Sequence, residues 1–319
     1  VARALDIPEE PINTATCAMA NLLFGVLTSH SIIPDRALRE FARLSLAGFT
    51  VHLCLHRVLF SPRGGSHLRN TEITAVELDR LLTLLGGDAA ADTPPAITAS
   101  FDDGYADAVE YVRTRHSRFP NLNWEFFICP AKTRDRVGFR WDRADTTQVI
   151  EEPFSVEQEN RRADLSGLAD RADCRLATVE QLRELVLLPR VALGNHTNCH
   201  FPLAQLDVTN CAREIHESRR DFAQLFGETR MFAFPFGVEG MHFGPEHVEM
   251  LTAEGYSRLY SVEPRPIRRE AAQCSGVIPR FAVMGTWPSS RTALYISLVA
   301  LREKVKHGLR ALRRERSCR

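Results

Sequence analysis

The feature that most constrains this chain is an alternation of short β-branched or aromatic runs with helical periods, sustained along most of its length. "FTVHLCLHRVLF" (Phe49–Phe60) reads as a strand, and "TEITAVELDRLLTLLGG" (Thr71–Gly87) as a helix with a glycine stop. "PPAITASFDDG" is a strand running into a loop, "YADAVEYVRTRH" a helix and "NLNWEFFICP" the next strand. "TVEQLRELVLLP" opens with Thr178 three residues before Gln181, a capping-box pattern, and predicts a helix. "RVALGNHTNCH", "VTNCAREIHESRRDFAQLFG", "RMFAFPFG", "PEHVEMLTAEG" and "YSRLYSV" continue the alternation, and "GVIPRFAV" reads as the last strand. This order predicts an α/β fold, a parallel sheet with crossover helices, closed as a barrel or left open. In either form ligands gather at the C-terminal ends of the strands. The segments that fall there are His56, Asp102–Gly104, His196–His200 and Pro235–Gly237.

Composition sets the surroundings. Hydrophobic residues make up 44% of the 319, enough for a sizeable core. Lys+Arg and Asp+Glu both number 40, so nothing in the overall charge draws the chain to nucleic acid. The eight cysteines are scattered without a CxxC pair and read as reduced thiols, which predicts a cytoplasmic protein. The longest apolar stretch near the start, Cys17–Leu27, is shorter than the roughly 20 residues a bilayer span takes. No basic n-region opens the chain, and its first residue is Val, which leaves a removed leader open.

Two adjacent carboxylates, Asp102 and Asp103, end one strand, followed by a glycine. A turn or a helix cap would explain them locally. His196 and His200 follow another strand, and two imidazoles four residues apart face one point if the loop enters a helical turn. With one carboxylate they make a three-ligand set with an open position, the arrangement of a hydrolytic zinc site. The second carboxylate would then stay free as a base for the water that the metal activates.

"FDDG" (Phe101–Gly104), "HTNCH" (His196–His200) and "FAFPFG" (Phe232–Gly237), in that order, resemble the motifs of the NodB-homology polysaccharide deacetylases, carbohydrate esterase family four. The resemblance spans roughly residues 49 to 285. It implies a distorted (β/α) barrel that removes N-acetyl groups from glycans, usually with zinc. Residue by residue, Asp102 is similar to the family's catalytic base, and Asp103, His196 and His200 match its metal ligands. The backbone N–H of Phe236 falls where the family stabilises the oxyanion, and a backbone donor tolerates Phe there.

Two departures qualify the match. A general-acid His in a Leu-x-His setting is missing near the C-terminus, where His307 sits in a basic helical segment. "LCLHRV" has that look instead, as in circularly permuted members such as the poly-N-acetylglucosamine deacetylases, and makes His56 the expected acid. The Arg that many members carry before the proline loop is replaced by Ala233, so the partner of Asp102 must come from elsewhere; Arg280 and Arg230 are the candidates, Arg280 the better because it falls in an expected core strand.

The sequence therefore predicts an N-terminal helical extension (1–48), a deacetylase barrel (49–290, with an insertion at 134–175) and a basic amphipathic C-terminal helix (291–319). It predicts a hydrolase that uses Zn²⁺ or another divalent transition metal to remove an N-acetyl or other N-acyl group from an amino sugar or glycan. The alternatives are deformylation or deacylation of a lipid-linked or secondary-metabolite amino sugar, hydrolysis of a non-sugar amide, and a non-catalytic glycan-binding relative. From Arg302 on, eight Lys or Arg face two Glu, which suits either a solvated helix end or contact with an anionic membrane surface.

Overall fold

A computed structural model of the chain describes residues 33–61, 70–88, 96–136, 138–139, 175–270 and 276–317, with side chains to 309. The apolar run Cys17–Leu27 and nearly all of the expected insertion at 134–175 lie outside the described residues.

The chain enters through helix α1 (Asp35–Leu46), whose Leu38, Ala42, Ser45 and Leu46 form one buried stripe. Gly48, at φ 86°, turns it into strand β1 (Phe49–Leu55), buried at every position. The run expected as one strand to Phe60 breaks at His56. β1 pairs with β4 (Ala96–Asp102) as far as Leu55↔Phe101, and the ladder stops where Asp103 turns left-handed. The chain then leaves the main sheet to form β2 (Arg57–Leu59), paired in parallel with β3 (Glu72–Thr74). Helix α2 (Ala75–Leu84) therefore starts later than its sequence period suggests, capped by Thr74, whose hydroxyl accepts from the Glu77 N–H at 3.2 Å.

After β4 the alternation is regular: α3 (Ala106–Arg115), β5 (Asn123–Ile128), α4 (Pro130–Asp135), α5 (Val179–Leu185), β6 (Val191–Asn195), α6 (Val208–Phe226), β7 (Met231–Ala233), α7 (Pro245–Ala253) and β8 (Arg258–Tyr260). The capping box at α5 is formed, with Thr178 and Gln181 each accepting the other's backbone N–H. β9 (Ile267–Arg268) runs antiparallel to β1, and β10 (Gly276–Ile278) and β11 (Phe281–Ala282) precede the long helix α8 (Ser289–Ser317). The expected last strand is thus two, divided at Pro279, which has no N–H to offer a ladder.

The parallel sheet runs β10-β8-β7-β6-β5-β4-β1-β11. Its two edges, β10 and β11, are successive in the chain, with only Pro279 and Arg280 between them. The sheet is thereby rolled into a nearly closed (β/α) barrel, joined at the seam by the chain itself. Residues on each strand alternate between two environments. On β4, Ile97, Ala99 and Phe101 face the apolar layer under the helices, with Trp124 and Phe126 of β5 stacked beside them. Thr98, Ser100 and Asp102 are equally buried but belong to the other face, inside the barrel, with His52, Glu125 and Arg280. These groups share the lumen with an apolar cluster of Phe127, Met231, Ala233, Tyr260 and Ile278, and the lumen's charges must pair within it. Among the described residues no helix is long and apolar enough to cross a membrane.

Candidate active site

The expected site residues converge at the C-terminal ends of the strands. Asp102 is the last residue of β4 and Asp103 the first beyond it, at φ 74°. His196 follows β6, its N–H donating to the Ile128 carbonyl at 2.9 Å. The loop from 196 to 200 brings the imidazoles together without a helical turn. Thr197 (φ 61°) and His200 (φ 63°) are left-handed, and that double reversal folds the second imidazole back on the first. The ring centroids lie 4.7 Å apart. The Thr197 hydroxyl accepts from the His200 N–H at 2.9 Å, and Glu214 of α6 accepts from the N–H groups of Asn198 and Cys199 at 2.8 and 2.9 Å. Left-handed non-glycine residues cost energy and persist where the surroundings enforce them. Four lie here, at Asp103, Thr197, His200 and Phe236.

Donor atoms of Asp103, His196 and His200 lie within 4.8 Å of one another, all three side chains buried. Asp103 Oδ1 is 3.2 Å from His200 Nε2 and 3.8 Å from His196 Nε2. His196 Nδ1 is 2.8 Å from the Ala233 carbonyl, a contact that places its proton on Nδ1 and leaves Nε2 as a lone pair. That Nε2 is buried with no hydrogen-bond partner. Burial, the largest influence, pushes the imidazole down to about 4 despite the aspartates, so it is neutral, the form that coordinates metal. An imidazole oriented by a carbonyl, a second one beside it and a shared carboxylate fit a divalent transition metal of the zinc type.

Asp102 has a different environment. Arg280, fully buried, reaches it with Nη1 at 2.6 Å from Oδ1 and Nη2 at 2.8 Å from Oδ2. Arg280 Nη1 also donates to the Ser100 hydroxyl at 3.0 Å, and Nε to the Ser261 carbonyl at 3.2 Å. Burial pushes the Asp102 carboxyl up, but the guanidinium and His196 outweigh it and hold it well below the usual carboxylate range. Arg230 sits just before β7, at the opposite end of the barrel, and takes no part. Cys54 and His56 complete a second group with Asp102, their donor atoms within 4.8 Å, the Cys54 thiol donating to Asp102 Oδ2 at 3.4 Å. His56 occupies the break between β1 and β2 and is partly exposed.

Phe236 stands at φ 61° on the loop after β7, its ring 4.9 Å from that of His200 and 5.3 Å from that of His242. Gly237 follows at φ 65° and carries the Val262 N–H on its carbonyl at 2.7 Å. A Cβ there would lie 2.7 Å from the Val262 backbone nitrogen, so the tight turn that presents Phe236 needs glycine.

Three supporting residues were not singled out from the sequence. Ser100 is two residues before Asp102 on the same strand face, a spacing that could have found it. Cys54 stands in the same relation to His56. Glu214 carried no local signal, because it acts on a loop that precedes its own helix.

The barrel, its lumen and the two aspartates at the strand ends can be set beside solved structures. A polysaccharide deacetylase from Bacillus cereus superposes with a TM-score of 0.53 at 13% identity, over 78% of this chain and 69% of its own. This is the polysaccharide deacetylase fold. The Streptococcus pyogenes deacetylase PplD, solved with acetate, gives 0.52 at 11% identity over 78% and 98% of the two chains. A de-N-acetylase from Aggregatibacter actinomycetemcomitans gives 0.50 at 14% identity over 77% and 100%. No protein-family model and no curated protein sequence matches the chain. At such identities the deacetylase fold is what is shared, and the chemistry must be argued from the residues of this chain.

Proposed function

We propose that the protein is a metal-dependent hydrolase that removes the N-acetyl or another N-acyl group from an amino sugar or glycan. The observation that carries this reading is the division of labour between neighbouring aspartates. Asp103 faces two imidazoles, whereas Asp102 is gripped by a guanidinium. A binding module would have no use for both arrangements.

In this reading Asp103, His196 and His200 hold the metal. When bound, the metal supplies Lewis-acid polarisation of the acyl carbonyl and acidifies a water. Asp102 is the general base. Arg280 keeps it ionised, so it is available to accept the proton of the attacking water, and fixes both its oxygens in one plane. The Phe236 N–H donates to the carbonyl oxygen as charge develops on it. His56, within reach of Asp102 and open to solvent, protonates the departing nitrogen.

The test is release of acetate or formate from a panel of N-acylated amino sugars and their oligomers. Protein stripped with a chelator should be inactive, zinc should restore it, and Asp102→Asn should keep the metal while losing most turnover. If the metal-loaded protein released nothing from any N-acylated sugar, the reading would be wrong. Metal binding by Asp102→Asn but not Asp103→Asn is required by the roles assigned, and the opposite result would exchange them.

A further inference from the structure

Among its described residues, the last helix is packed only in its first three turns. Ala293, Leu294, Ile296 and Ala300 are buried against α1 and α2. Beyond them Leu301, Val305 and Leu309 are 39, 50 and 51% exposed. They recur every four residues and so share one face of the helix, and Leu312 continues the row in the sequence. Leu44, in the last turn of α1, is 57% exposed, and its carbonyl accepts from Lys304 Nζ at 2.5 Å.

Charge is segregated in the same place. From Arg302 onward eight Lys or Arg face two Glu, which leaves 32 Lys or Arg against 38 Asp or Glu in the rest of the chain. At about 100° per residue, Arg302 falls on one flank of the apolar row and Lys304 on the other. A narrow apolar row flanked by cations on a polar helix suits an anionic lipid interface, which offers apolar depth and negative charge together.

The fold also fixes which way this helix points. Ser289, at its start, comes six residues after Val283, whose N–H donates to the Cys54 carbonyl near the C-terminal end of β1 at 3.0 Å. Lys304 lies at the end of α1, and Gly48 leads from there into the first residue of β1. α8 therefore runs opposite to the strands and leaves the barrel where they begin. His56 and Asp102 stand at the other end of β1 and β4, about 20 Å away along seven residues of strand.

We propose that α8 beyond Ala300 docks the protein on an anionic bilayer through its apolar row, the helix lying in the plane of the interface and the barrel, whose strands run along it, lying on its side with its mouth opening parallel to the lipid surface. The mouth would then open along the lipid surface rather than into it. Docking does not depend on the hydrolase reading, and its test uses no turnover.

The full chain should sediment with phosphatidylcholine vesicles containing phosphatidylglycerol and not with phosphatidylcholine alone, and high salt should release it. Val305→Asp with Leu309→Asp should weaken vesicle binding at least about tenfold, with an unchanged circular dichroism spectrum. For orientation, Leu309→Trp should gain fluorescence that brominated lipid quenches, whereas Met241→Trp, at the exposed rim beside Phe236, should gain fluorescence that it does not. Equal sedimentation with neutral vesicles overturns the proposal. So does failure to bind vesicles, including the case in which the row instead joins two copies into a dimer that the aspartates dissolve. Quenching at position 241 equal to that at 309 overturns the orientation.

Discussion

Arg280 holds both oxygens of Asp102, at 2.6 and 2.8 Å, across 178 residues of sequence. The pair is fully buried, so neither charge has water to fall back on. Arg280→Met should cost about 3–5 kcal/mol in urea unfolding, because it strands a buried carboxylate. Arg280→Lys should recover only part of this, since an ammonium cannot make the two parallel bonds. The cation lowers the Asp102 pKa, so its removal raises it. The acid limb of the rate profile in Arg280→Lys should then not lie below that of the parent, and in Arg280→Met it should move to higher pH. A fully stable Arg280→Met with an unmoved acid limb would show that the pair matters to neither.

The three proposed ligands should behave alike. Asp103→Ala, His196→Ala and His200→Ala should each lose bound metal and turnover together, because each removes one of three protein donors. Metal content by elemental analysis is the readout. Full occupancy in all three variants would defeat the assignment.

His56 is separated from these by the leaving group. An amine anion leaves poorly without a proton, whereas an activated phenolate leaves well. His56→Ala should slow N-acyl sugar hydrolysis by about 10²- to 10⁴-fold and a phenyl-type ester much less, with metal content unchanged. An equal loss on both substrates would make His56 a structural residue and send the search for the acid elsewhere.

His52 offers a test of the lumen. Burial, with help from Arg258 and Arg280, pushes its pKa down to about 3, against about 6.5 for an unfolded histidine. Between those values the unfolded chain binds a proton that the folded one refuses, so stability falls as pH drops below about 6.5. Going from pH 7 to 5 should cost the parent about 2 kcal/mol more than His52→Phe, which keeps a ring beside Tyr260 and cannot titrate. Urea midpoints at the two pH values decide it; identical slopes would mean that His52 protonates in the folded protein.

Much of this arrangement is visible in the sequence, for reasons that can be stated. Strand and helix periods report local burial, which is why β4, β5, α5 and α6 fall where they are expected. Asp102, Asp103, His196 and His200 are legible because each sits at the end of such a period. What fails is whatever depends on a distant neighbour. The break at His56 follows from where the β4 ladder stops; the division at Pro279 has a local signal in the missing N–H, but which edge each half joins does not. The turn at Thr197 and His200 rests on Glu214, which no local pattern connects to it. Arg280 could be nominated by its apolar flanks, but its choice over Arg230 is made by the closing of the sheet.

That closure has an implication for how the protein fails. β10 and β11 are opposite edges of the sheet, and the link between them is a dipeptide rather than a ladder of hydrogen bonds. One half of that dipeptide is also the clamp on Asp102. β10 and β11 each have one neighbour in the sheet, whereas the interior strands have two, and the seam relies on the Arg280 side chain, which bonds Ser100, Asp102 and Ser261. Function and fold should consequently have different heat tolerances. Warming that parted Arg280 from Asp102 would leave the proposed base without its cation while the interior strands still had both their neighbours.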